Sequence, residues 1–346
     1  MTVSDFLTIE WGEIEGPLIE PPRLSPLVAD PSFLFPEESP EGEWELFAHS
    51  AWGVHRYTST DGTHWSERGI VIHNAMRPFI RRTDYAAAET KSDSRARSAA
   101  PLLRGERRYC LYYEAYPPLA LPLTALPLHR RWRSRIELSE SADLSRWSEA
   151  VSLIEPDQPW TRDRSLGASV SNPCLVRDWT GAWRLYYSAS LTWIPDCGFT
   201  EPRYIALARG PSPQGPFTPE TKPVIDPAKD TMPGVMGAGS IKVLPMKDGY
   251  LGLQNKIYSD SSGQSHSAIF LVRSEDGVSW APARKKPLIA PKAGWTASHV
   301  YACDCRFRES DGLWYLYFNA RDGWRISEGR ERIGRILGRV RRPTNA

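Results

Sequence analysis

Asp30, Glu114 and Asp304 are the carboxylates of this sequence best placed to act together. Asp30 opens Asp-Pro-Ser-Phe-Leu-Phe (30–35), Glu114 closes Cys-Leu-Tyr-Tyr-Glu (110–114), and Asp304 opens Asp-Cys-Arg-Phe (304–307). Each marks the edge between an apolar strand and a polar loop. Carboxyls whose pKa values are pushed apart perform acid and base chemistry on a neutral hydroxylated ligand, one giving a proton while the other takes one or attacks. Burial raises one such group, while Arg97, Arg321 or His299 nearby holds another ionised. Trp52, Trp193 and Tyr301, with Trp160 and Trp295, add flat apolar faces on which a ring stacks.

The positions of these residues follow from a repeat. Asp30, Ala100, Asn172, Gly239 and Asp304 each open a short apolar strand, at steps of about 65–72 residues. Aromatic-rich second strands end on His49, Glu114, Ser188, Asn255 and Asn319, all polar after an apolar run. Third strands end in Ser-x-Asp-Gly-x-x-Trp (59–65 and 274–280) or its variant Ser-Ala-Asp-Leu-Ser-Arg-Trp (141–147), where Asp-Gly turns the chain and Trp packs between sheets. Repeats of this kind predict an all-β fold, a five-bladed β-propeller with four-stranded antiparallel blades. The blades fall at about 30–72, 98–154, 170–225, 237–289 and 300–338, in one domain spanning 1–346. Residues 16–20 are expected to complete blade five, since Pro-Leu-Ile-Glu (17–20) echoes Pro-Leu-Ile-Ala (287–290) in blade four. The long connections 73–97, 115–134, 155–170, 189–203, 226–238 and 290–302 then share one face, which places a ligand pocket there, over the axis.

Composition narrows the partners. Lys+Arg 43 against Asp+Glu 41 gives +2 over 346 residues, too weak a field to hold nucleic acid or an anionic membrane. No run of 18 apolar residues and no basic-then-apolar leader occurs, so a cytoplasmic protein is expected. The five cysteines, Cys303 and Cys305 included, lack zinc-site spacing and read as buried thiols. No metal and no cofactor is called for. The Arg-rich stretch from Arg321 to Arg342 reads as solvated surface.

Ala-Asp-Pro (29–31), the Ser-x-Asp-Gly-x-x-Trp turns, and Tyr-Leu-Tyr-Phe-Asn-Ala-Arg (315–321) followed by Arg-Ile-Gly (332–334) resemble the five-bladed propeller glycoside hydrolases. These are the arabinanases and β-xylosidases of family 43, with their invertase and levansucrase relatives, and the resemblance covers nearly all of 16–340. It implies that Asp30 is the general base or nucleophile. The sequence departs from the family pattern at two points. Asn172 stands where that pattern has Asp, and Gly-Ala-Gly-Ser (237–240) stands where it has a general-acid Glu. The proton donor is therefore expected from Glu114, Asp304 or Glu201. The expected activity is glycosidase-like hydrolysis of a sugar or glycosylated small molecule. A lyase, cyclase or transferase step, and carbohydrate binding without catalysis, stay open beside it.

Overall fold

The computed structural model describes residues 1–83, 108–118, 120, 131–325 and 327–340. The fold is all-β, built from antiparallel sheets whose strands pair in chain order. Strands Ala29–Leu34, Trp44–Ser50, Gly53–Ser59 and Ser66–His73 form one four-stranded sheet. Ala75–Thr83, Arg108–Ala115, Arg135–Ser141 and Val151–Ile154 form a second, and Val170–Arg177, Trp183–Ile194, Phe199–Gly210 and Thr218–Pro219 a third. Trp132–Arg133, Arg162–Asp163 and Gly167–Ala168 form a small three-stranded sheet, and the remaining nine-stranded sheet contains two antiparallel runs. One is Val235–Met246, Gly249–Ser259, Ser265–Ser274 and Ala281–Pro282, and the other is His299–Arg308, Leu313–Arg321 and Glu331–Arg339. A single parallel bridge, Ser267 to His299, joins them. Glu15–Ile19 pairs antiparallel with Glu331–Arg339, so residues near the two chain ends share a sheet, as the echo between 17–20 and 287–290 led one to expect.

Two sequence assignments change. The second sheet does not open at Ala100, which lies outside the described residues. Its inner strand is Ala75–Thr83, paired directly with Arg108–Ala115, so the span 73–97 is not one connection. In the last run Asp304 sits within the regular ladder opposite Tyr317, and the irregular opening falls between Val300 and Cys303.

The Ser-x-Asp-Gly turns form as their chemistry dictates. Ser59 Oγ accepts from the Gly62 N–H (2.8 Å), and Asp61 Oδ1 accepts from the N–H groups of Thr63 (2.8 Å) and His64 (2.9 Å). The same side-chain cradle recurs at Ser141–Asp143 and Ser274–Asp276. Each turn is also a joint between sheets. Tyr317 and Tyr186 donate their hydroxyls to the carbonyls of Gly62 (2.7 Å) and Gly277 (2.9 Å) on the adjacent sheet. Trp65, Trp147 and Trp280 stand edge-on to Tyr317, Phe47 and Tyr186 at 5.7, 6.0 and 5.9 Å, a favourable aromatic geometry.

The first strand of each run touches its neighbours. Ala29–Leu34 meets Ala75–Thr83, which meets Val170–Arg177, then Val235–Met246, then His299–Arg308, which returns to Ala29–Leu34. Every one of these five strands breaks register near its start. A bulge bends a strand and re-aims its side chains. In the fourth run the bulge needs Gly239, at φ +61°, where an added Cβ would lie 2.1 Å from the Asn255 carbonyl oxygen. Gly239→Ala is therefore expected to destabilise the protein by about 1–3 kcal/mol. Urea unfolding checks this, and a wild-type midpoint would refute it.

Candidate active site

The bulges determine which side chains face inward. Asp30 (φ 54°), Arg77 (φ 56°) and Asn172 (φ 48°) adopt left-handed backbone conformations at the bulges of the first three inner strands. Such strain, of order 1–3 kcal/mol each, persists only where surrounding structure enforces it. For Asp30 and Arg77 that enforcement comes from polar residues ending the second strands, which reach sideways to the next sheet. Asn319 Oδ1 accepts from the Asp30 N–H (3.1 Å), and His49 Nδ1 from the Arg77 N–H (3.3 Å). Ser188 Oγ donates to the Gly239 carbonyl (2.7 Å), and Asn255 Nδ2 to the Val300 carbonyl (2.8 Å). This belt pins four of the bulges. Ser188, Asn255 and Asn319, expected to bind substrate, are thus engaged by the fold itself.

Asp30 is the centre of the site. Its Oδ1 accepts from Asn172 Nδ2 (2.9 Å), and Oδ2 lies 3.4 Å from His49 Nδ1. Because that Nδ1 already accepts from Arg77, it carries no proton. Burial, with the charges of Arg77 and His55, pushes His49 down to about 3, so the ring is neutral. Burial also raises the Asp30 carboxyl, while Arg77, Lys242 and the Asn172 hydrogen bond pull it back. Asn172, standing where the family pattern has a carboxylate, therefore still touches Asp30, as a donor without charge.

Asp30 acts electrostatically on two further carboxyls. Glu201, on the hairpin strand Phe199–Gly210, is raised by burial to about 7, with Arg77 lowering it, Asp30 raising it and a Tyr301 hydroxyl hydrogen bond lowering it. Glu331 is raised to about 8 by burial, opposed by Arg321 and reinforced by Asp30 and Glu201. Its Oε1 accepts a short hydrogen bond from Asn319 Nδ2, so one amide links the Asp30 backbone to Glu331. Tyr301 stacks on His299 at 5.4 Å and 4°. The groups coupled around Asp30 are therefore His49, Arg77, Asn172, Glu201, Tyr301 and Glu331.

The other two candidate proton donors have different surroundings. Glu114 is fully buried, accepting from Arg77 Nη1 (2.5 Å) and Trp132 Nε1 (3.2 Å). It is the counter-charge that holds Arg77 beside Asp30. Asp304, also fully buried, accepts from both terminal nitrogens of Arg81 (2.8 Å each), from Ser32 Oγ (2.8 Å) and from the Phe33 N–H (3.3 Å). Burial alone would raise it, but Arg81, Lys242 and Arg306 overcome that and hold it well below the ordinary carboxylate range. A carboxyl held ionised in this way has no proton to give.

Among the remaining expected residues, Arg321 is buried, and its guanidinium binds the carbonyls of Gly323 and Arg325. His299 is buried and pushed down to about 3, by burial first and then His266 and Arg321. Trp52 and Trp193 are 43% and 49% exposed, free to offer their faces. Trp295 instead packs on Phe318 at 5.6 Å, and Trp160 donates to the Thr221 carbonyl (2.9 Å). Arg97 lies outside the described residues. Arg77 and Glu331 were not foreseen. A signal for Arg77 existed, because Arg77-Pro78 repeats the form of Asp30-Pro31 and Asn172-Pro173; Glu331, inside an arginine-rich strand, had none.

No protein-family model and no curated protein matches this sequence. Solved structures match it along almost its whole length. A glycoside hydrolase superposes with a TM-score of 0.62 at 13% identity, covering 99% of this chain and 97% of its own. A family 117 glycoside hydrolase from the marine bacterium Zobellia galactanivorans gives 0.55 at 14%, covering 98% and 92%. An N-acetylgalactosamine deacetylase from F. plautii, solved with blood group B trisaccharide, gives 0.59 at 11%, covering 95% of each chain. At such identities the likeness is one of architecture, and this chain has the fold on which these glycoside hydrolases are built.

Proposed function

We propose that the protein is a glycosidase-like hydrolase, a five-bladed propeller closed by the pairing of Glu15–Ile19 with Glu331–Arg339, acting on a sugar or sugar-bearing small molecule beside Asp30. The observation that carries this reading is the half-buried Asp30 carboxylate held by Asn172, with Glu201 raised by burial and by the charge of Asp30. Asp30, positioned by Asn172 and favoured in its ionised form by Arg77, is the base or nucleophile. Glu201, protonated up to about pH 7, is the donor to the leaving oxygen. Glu331 and Arg321 surround them as a second acid and a counter-charge. The carbohydrate substrate class is supported by the fold neighbours, several of which are glycoside hydrolases by name.

The test is release of free reducing sugar from a panel of aryl glycosides and oligosaccharides. Release absent from the whole panel, with the sugars still binding, would replace hydrolysis by carbohydrate binding; a non-reducing product would replace it by lyase, cyclase or transfer chemistry. The pH profile follows from the proton inventory. Asp30 must have lost its proton and Glu201 must retain its own, so kcat/KM falls above about pH 7 as Glu201 ionises. Glu201→Gln is expected to remove that alkaline fall and to lower kcat by about 10²–10⁴-fold on substrates with poor leaving groups. Aryl glycosides with good leaving groups, which need no protonation, lose far less. An unchanged alkaline limb in Glu201→Gln would shift the donor role to Glu331.

A further inference from the structure

The inner strands build a second feature at their other ends. Arg81 lies four residues beyond Arg77 on Ala75–Thr83, about 13 Å along an extended chain. There residues 175–177, 243–246 and 305–307, which lie towards the ends of three inner strands, join Arg81 and Trp314 around a cavity of about 300 Å³. That volume is at the lower bound of ordinary small-ligand sites.

Its lining is one-sided in chemistry. The charged residues are Arg81, Arg177 and Arg306, with no carboxylate among the lining residues. Asp304 neutralises Arg81 and Glu38 neutralises Arg306. Arg177 has no carboxylate partner among the described residues, and its guanidinium lies 5.7 Å from the centre of the Trp183 ring. Trp314 is 7% exposed, and its indole N–H finds no acceptor among the described residues. Phe307 is 39% exposed, a large apolar ring facing solvent. The lining side chains thus offer a cation and no carboxylate, beside apolar walls. A guanidinium fork matches the oxygens of a carboxylate or phosphate.

We propose that this cavity is a binding site for a small organic anion, with its carboxylate or phosphate oxygens on Arg177 and an apolar, ring-sized body against Phe307 and Trp314. The site is distinct from the Asp30 cluster and stands whether or not the chain hydrolyses glycosides.

Calorimetric titration of the whole protein with benzoate and with phenyl phosphate tests it and separates the two oxyanion types. Inorganic phosphate and benzyl alcohol probe the charged and apolar halves alone. One of the two aromatic anions is expected to bind at a single site with Kd below about 1 mM, and each half-probe at least about tenfold more weakly. Arg177→Gln, a change at an exposed side chain, weakens binding at least about tenfold, and Phe307→Ser does so through the apolar half, while Asp30→Asn leaves it unchanged. Absence of saturation by either anion up to about 10 mM would overturn the proposal. So would wild-type affinity in Arg177→Gln, or loss of binding in Asp30→Asn, which would move the ligand to the other site.

Discussion

Asp30→Asn is expected to lower kcat by about 10²–10⁴-fold while leaving the fold intact. The separation of the two effects comes from the local geometry. Asn is among the few residues that tolerate the left-handed backbone of this position, φ 54°. Its carbonyl oxygen still accepts from Asn172 Nδ2, so the hydrogen bond that orients the side chain is kept. The substitution also removes a buried charge. Thermal unfolding within about 2 °C of wild type, alongside the lost turnover, is the expected pair of results. Turnover within about twofold of wild type would take the reacting group away from Asp30 and leave the site without its centre.

Asp304→Ala is expected to have the opposite signature, a large loss of stability with activity per folded molecule retained. Removing one partner of a buried pair strands the other, here Arg81, at a cost of about 3–5 kcal/mol. For a chain of this size that corresponds to a melting temperature lower by roughly 4–7 °C. Replacing both partners, Asp304→Leu with Arg81→Leu, is expected to recover much of the loss, because no unpaired charge then remains buried. The pH dependence follows from the depressed carboxyl. Its stabilisation is fully present above the unfolded-state value near 3.8, and is lost as pH falls below it towards the folded-state value. Lost turnover in Asp304→Ala protein that melts like wild type would return this residue to the reaction.

The contrast between Asp30 and Asp304 shows how far the sequence alone reaches. The repeat located the strands well because hairpin turns and alternating apolar residues are local signals, and the Ser-x-Asp-Gly cradles formed as written. Register is a different quantity. A shift of three residues along His299–Arg308 separates a bulge position, held by Tyr301 and Ala302, from the ladder position of Asp304, and composition is almost blind to it. The second inner strand was missed for a related reason. Ala75–Thr83 carries Arg77, Arg81 and Arg82, which read as a polar connection until Glu114 and Asp304 supply the charges that let two of those arginines lie inside. The polar strand ends were found by position, but the role of Asn255, Ser188 and Asn319 depends on which neighbouring backbone they reach. That is fixed by the packing of one sheet on the next, which no single segment encodes.

The pairing of Glu15–Ile19 with Glu331–Arg339 has a temporal meaning. Residues 15–19 must wait until residues 331–339 have been made, with more than three hundred positions between partners such as Glu15 and Arg335. Contacts so remote form slowly. Glu331 and the amide bridge to Asp30 arrive with that final strand, so a nascent chain halted before it carries Asp30 without its surroundings. The cluster around Asp30 is thus completed only when that strand has docked.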